Sequence, residues 1–202
     1  MRDIPVVGTF IAVCVLMFLM QQSGGEGLVA WMGLWPLGMA GSAMGAAEFH
    51  PWQLITYGFL HATPLHIFLN LYALWLFGAP LERRWGSQHF AAYLMICIIG
   101  AGLTHLIVAE FELSRGMPPY PVIGASGGVF GLLLAFGYLF PNQRLLLLIP
   151  PIPIKARWFV IGYGVIELVA GVTGSASGIA HFAHLGGMLT GYLLLRSVRW
   201  LY

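Results

Sequence analysis

Three short stretches carry side chains whose types suit acyl-transfer chemistry. GASGGVFG, residues 124–131, sets Ser126 among glycines in an apolar run; AHFAHLGG, residues 180–187, carries His181 and His184; HIFLN, residues 66–70, carries His66 and Asn70. A hydroxyl beside a histidine base can act as a nucleophile, and amide or imidazole N–H groups can hold the oxyanion that follows. Each stretch also has a plainer reading. Serine flanked by glycine serves close helix packing, and His66 with Asn70, four residues apart on one helix face, can make interhelical hydrogen bonds. Polar groups inside a bilayer are costly and tend to mark function; the set here is His61, His66, Asn70, His105, Ser126, Glu167, His181 and His184.

Some chemistry is disfavoured at this level. The HxxH pair lacks an HExxH motif, an intramembrane aspartate or a thiolate cluster to complete a zinc shell, so no metal and no cofactor are expected. Asp3 is the only aspartate. Its expected place on the inner side, away from Ser126, leaves any serine chemistry to a Ser-His dyad with no carboxylate to orient the histidine. Glu167 is expected to stay neutral or to pair with a polar neighbour, though a proton-relay role in a transporter is the alternative. Cys14 and Cys97 lie in apolar runs and suggest neither a disulfide nor a redox pair.

These residues need a scaffold, and composition names its kind. Of the 202 residues 59% are hydrophobic and 8% charged, too few charges for a water-soluble surface. The chain is therefore expected to be an integral, multi-pass membrane protein. Its formal charge of +2 points to no nucleic-acid partner. The first segment lacks a small-residue cleavage site before Gln21 and Gln22 and is expected to be a retained helix.

Six stretches qualify as membrane spans: about 4–21, 55–79, 90–109, 124–140, 157–173 and 179–196. Breaks rich in Gly, Pro or charge separate them, with no polar linker to divide the chain, so a single domain over 1–202 is expected. Residues 144–157, RLLLLIPPIPIKAR, are apolar but interrupted by Pro150, Pro151 and Pro153, which predicts a loop at the membrane surface. With the N-terminus inside, Arg2, Arg83, Arg84, Arg144, Lys155, Arg157, Arg196 and Arg199 fall on the inner side and Arg115 alone outside. Both termini are thus expected in the cytoplasm and the first loop, 22–54, outside. Ser126 and His184 then share one side, His184 roughly 8 Å along its span.

In this order and spacing, FLHATPLHIFLN, LERRWGS, GASGGVFG, PNQRLLLL with PIPIKAR, and AHFAHLGG resemble the rhomboid family of intramembrane serine proteases. The resemblance runs from about Trp52 onward. It implies an all-α six-transmembrane-helix bundle in which Ser126 is the nucleophile, His184 the base, and His66 and Asn70 stabilise the oxyanion. It gives His61 a structural place and His181 no required catalytic role. Gly124 and Gly127 support the serine. Some relatives have a tyrosine where this chain has Phe130, which can stack on the catalytic histidine but not hydrogen-bond. Relatives with Trp-Arg in the first loop have Trp52-Gln53 here, which puts that loop's anchoring in question.

The resemblance implies cleavage of single-span transmembrane substrates near the outer face of a bacterial inner membrane, with the lipid bilayer as the other partner and the oligomeric state open. Two other functions compete: an inactive relative that binds membrane proteins, and a small transporter. The presence of both Ser126 and His184 weighs against the first, and the lack of an inverted repeat against the second.

Overall fold

The computed structural model describes residues 3–24, 26–39, 48–146, 152–174 and 180–198. In chain order the helices are α1 (Pro5–Gln22), α2 (Glu26–Met32), α3 (Gln53–Thr56), α4 (Pro64–Ala73), α5 (Ala79–Trp85), α6 (Ser87–Ser114), α7 (Ser126–Leu139), α8 (Ala156–Thr173) and α9 (His181–Ser197). Four helical stretches are long and apolar enough to cross a membrane: Pro5–Gln22, Pro64–Trp85, Ser87–Ser114 and Ala156–Thr173. Helix α7 is apolar but short, with 14 residues against 28 in α6, and Ser126 is its first residue.

The second span differs from the expected 55–79. Residues 53–59 form the short α3 and a 3-10 turn, and the long helix begins only at Pro64. Local chemistry sets that start: the Thr63 hydroxyl accepts the His66 backbone N–H at 3.1 Å, and Pro64 occupies the first turn, where its missing N–H costs nothing. The same helix runs to Trp85 despite Pro80, because a π-turn over Leu74–Gly78 joins α4 to α5 and absorbs the break.

The expected surface loop at 144–157 is instead a small antiparallel ribbon of β1 (Arg144–Leu146) and β2 (Pro153–Lys155), with Leu145 opposite Ile154. Pro153 takes the first position of its strand, where a proline is tolerated. The prolines expected to break this stretch at 150 and 151 lie outside the described residues, as do Arg2 and Arg199 of the charge pattern, residues 40–47 of the first loop and the start of the sixth span.

Helices α6, α7 and α9 pack together as the centre of the bundle, with small residues where backbones approach. A methyl group on Gly127 would overlap Ala101, and one on Gly187 would overlap the Gly127 carbonyl oxygen. Tyr57 and Tyr93 brace the centre, their hydroxyls donating to the carbonyls of Ile98 at 2.7 Å and Gly131 at 3.0 Å. Helix α1 is tied on by Glu82, which is 1% exposed: its carboxylate accepts the backbone N–H groups of Val6 and Val7, both at 2.9 Å, and the Ser87 hydroxyl at 2.7 Å. A carboxylate on the otherwise unpaired N–H groups of another helix is a favourable cap.

The first loop is anchored despite its departure from the Trp-Arg pattern. Gln53 is fully buried, accepts the Trp35 N–H at 3.2 Å and donates to the Glu48 carbonyl at 2.9 Å, while the Trp52 indole donates to the Trp31 carbonyl at 3.0 Å.

Candidate active site

Ser126 is the first residue of α7, and the chain is held firmly just before it. Leu34 and Val122 exchange two backbone hydrogen bonds at 3.0 Å, and the Gly124 N–H donates to the Tyr57 carbonyl at 2.9 Å. Gly124 has φ +129°, a conformation open to glycine and strained for any residue with a side chain. It also leaves room for a neighbour, since a methyl there would lie 2.9 Å from both Cε1 and Nε2 of His66 and 3.9 Å from the Ser126 hydroxyl. The glycine therefore lets the His66 ring sit beside the serine.

The hydroxyl of Ser126 and Nε2 of His184 are 2.7 Å apart, a short hydrogen bond between α7 and α9. Phe130, one turn after Ser126, lies flat on the His184 ring with centroids 4.3 Å apart and planes 7° from parallel. Stacking thus fixes the plane of the imidazole without a tyrosine hydroxyl.

Contrary to the expectation that no carboxylate reaches this histidine, Glu167 on α8 lies against its far side. Oε2 of Glu167 is 2.9 Å from Nδ1 of His184 and 2.7 Å from Nδ1 of His181. The His181 contact is an aligned hydrogen bond. The His184 contact, at 2.9 Å, is not an aligned hydrogen bond, and among the described residues Nδ1 is buried with no hydrogen-bond partner. It is a charge contact, and a carboxylate at that distance favours the tautomer that keeps the proton on Nδ1 and the Nε2 lone pair toward Ser126.

On α4 the His66 ring has its proton placement set by the backbone. The Ala62 N–H donates to Nδ1 at 3.3 Å, which leaves the ring proton on Nε2, the atom beside Gly124. Asn70 is buried one turn further on and donates to the His66 carbonyl at 2.9 Å, while its Oδ1 has no partner among the described residues. His66 therefore meets the Ser126 region directly, and Asn70 stands one turn deeper with one amide N–H committed to its own helix.

The remaining polar residues fall elsewhere. His61 stands edge-on to His66 at 5.1 Å and lines a cavity of about 420 Å³ with Gln21, Trp35 and Pro121. His105 is buried on α6 facing the Tyr120 ring at 5.9 Å. Sequence inspection singled out Glu167 but did not join it to His184, since the two lie on different helices and no spacing rule pairs them. The role of Ala62 was invisible for a similar reason, being that of a backbone group.

Known proteins resemble this chain over most of its length. The Rhomboid domain family model matches residues 48–200. The chain is 33% identical over 148 residues to Rhomboid protein 1, mitochondrial, of Saccharomyces cerevisiae, covering 70% of this chain and 40% of the relative. It is 32% identical over 191 residues to Rhomboid protease GluP of Bacillus subtilis, covering 91% of this chain and 32% of that protein. Rhomboid protease GlpG of Klebsiella pneumoniae is 26% identical over 191 residues, covering 93% of this chain and 60% of that protein. The chain thus spans about a third to three-fifths of the length of these relatives. Its apolar helices make it an integral, multi-pass membrane protein, and with the family match over most of its length, the chain belongs to the rhomboid family.

Proposed function

We propose that this protein is an intramembrane serine endopeptidase, a single rhomboid-type domain of six spans with both termini in the cytoplasm and the site near the outer face. The 2.7 Å hydrogen bond between Ser126 and His184 carries this reading. The Ser126 hydroxyl attacks the carbonyl carbon of the scissile bond as Nε2 of His184 takes its proton. The positive charge this creates on the imidazole is met by the Glu167 carboxylate 2.9 Å from Nδ1. The developing oxyanion is held by the Ser126 N–H at the start of α7, by the Nε2–H of His66 and by the amide of Asn70. His184 returns its proton to the leaving amine, and water then enters the same cycle to release the acyl enzyme.

An intact transmembrane helix hides its peptide bonds, so substrates are single-span proteins whose outer helix end unravels through Gly, Pro or other small residues. The names of GluP and GlpG support proteolysis, and the bacterial origin of both supports a bacterial inner membrane. Glu167 and the histidine pair, which with His105 favoured the transporter reading, lie together beside Ser126, with His184 hydrogen-bonded to its hydroxyl. The purified protein is expected to cut such a segment in detergent and to be labelled at Ser126 by a fluorophosphonate. Ser126→Ala is expected to lower kcat by about 10⁴-fold or more and to abolish labelling; equal cleavage by the two forms would end this proposal.

A further inference from the structure

We propose that Glu167, His181 and His184 form a site for a divalent cation of the zinc class, and that its occupancy switches the protease off. The binding half stands on geometry alone, while the inhibitory half rests on the function proposed above. Three donor atoms, Oε2 of Glu167 and Nδ1 of each histidine, lie within 4.8 Å of one another, on side chains that are each about 10% exposed. Two imidazoles and a carboxylate are a donor set that zinc takes up with one position left open. The two histidines alone did not suggest this, because the third ligand comes from α8.

A second observation points the same way. His184 is 8% exposed, and among the described residues its Nδ1 has no aligned hydrogen-bond partner although Oε2 of Glu167 is only 2.9 Å away. An N–H aims at its acceptor, so a hydrogen-bonded pair lies in line. Two ligands of one ion each aim at the ion and sit side by side, close together but out of line with one another. The His184–Glu167 contact, close but not an aligned hydrogen bond, fits the second pattern, and among the described residues Nδ1 has no hydrogen-bond partner.

The consequence for catalysis follows from the proton count of the ring. A metal on Nδ1 needs the lone pair there, so in neutral His184 the ring proton moves from Nδ1 to Nε2. No proton is gained or lost. Nε2 then carries hydrogen toward the Ser126 hydroxyl and has no lone pair with which to take the serine proton. His181 undergoes the same tautomer change as it turns from donor to Glu167 into ligand, and the carboxylate keeps its charge.

The test uses the full chain, purified in detergent and freed of metal by a chelator. Cobalt(II) serves as the visible probe and zinc as its competitor. One cobalt per chain should bind with the visible absorption of a tetrahedral nitrogen–oxygen site, zinc should displace it, and cleavage should fall in step and return on adding chelator. His181→Ala and His181→Asn should each weaken zinc inhibition at least about tenfold, the lower end for lost outer-shell partners, with inhibition referred to each variant's own chelator-treated rate. Absence of the cobalt spectrum, or zinc inhibition of equal strength in the wild type and both His181 variants, would overturn the proposal. A chain that binds cobalt as described but cleaves nothing even with chelator supports the ion site and removes the proteolytic reading.

Discussion

Along the seam between α7 and α9 the two backbones touch, so closely that a methyl on Gly187 would overlap the Gly127 carbonyl oxygen; on α8, a methyl on Gly162 would meet no neighbouring element within 4 Å among the described residues. Both regions deliver a group to the same constellation. The seam brings Ser126 and His184 to 2.7 Å with side-chain freedom removed by close packing and by the Phe130 stack. Helix α8 is only 17% buried, its buried side chains being Ala156, Val160 and Glu167, and it reaches the site through one carboxylate. Groups that must meet within a hydrogen bond thus sit on backbones that cannot slide. The charge, whose effect falls off slowly with distance, is carried by a loosely held neighbour.

Three measurements can break or sharpen this contrast. The largest effect is expected for Gly187→Ala, which must push α9 from α7. It should cost about 1–3 kcal/mol, seen as a lower unfolding midpoint in detergent, and lengthening of the Ser126–His184 bond should reduce fluorophosphonate labelling as well. A stable, fully labelled variant would show that the seam is not close-packed. Next comes Glu167→Gln, which keeps the shape and removes the charge. Its kcat should fall by about tenfold, equivalent to about 1.4 kcal/mol, with KM little changed, because the carboxylate acts on the imidazolium and not on the substrate. A change confined to KM would place Glu167 in substrate binding instead. The smallest effect is expected for Gly162→Ala, where an open helical position should gain up to about 1 kcal/mol from reduced backbone freedom in the unfolded chain. Were it to lose as much stability as Gly187→Ala, the distinction between seam and flank would disappear.

How far the sequence carried these conclusions varies with the range of the interaction responsible. Helices α1, α6 and α8 begin and end within a few residues of the stretches their hydropathy marked, because a long apolar run has few other states in a bilayer. The second span was misplaced toward the N-terminus, since residues 55–62 are as apolar as a helix needs but the long helix starts only at the Thr63 cap with Pro64. The ribbon at β1 and β2 was missed for a related reason: prolines announce an interruption but not the pairing of Arg144 with Lys155 across it. Glu82 was passed over as part of a charged break, although its buried carboxylate joins α5 to the start of α1.

By itself the sequence determined that this chain lives in a membrane, that Ser126 opens a helix two residues after a glycine, and that His66, Asn70 and His184 stand in helical stretches of their own. These are properties of composition and of neighbours within a turn or two, where spacing alone fixes which face a side chain takes. Only the tertiary structure decided that Glu167 lies 2.9 Å from His184, that it shares itself with His181, and that Gln53 anchors the first loop. Each of those joins elements far apart in the chain, and their meeting depends on how helices pack, which in a membrane is set by the fit of small residues and by the few polar groups that must find partners.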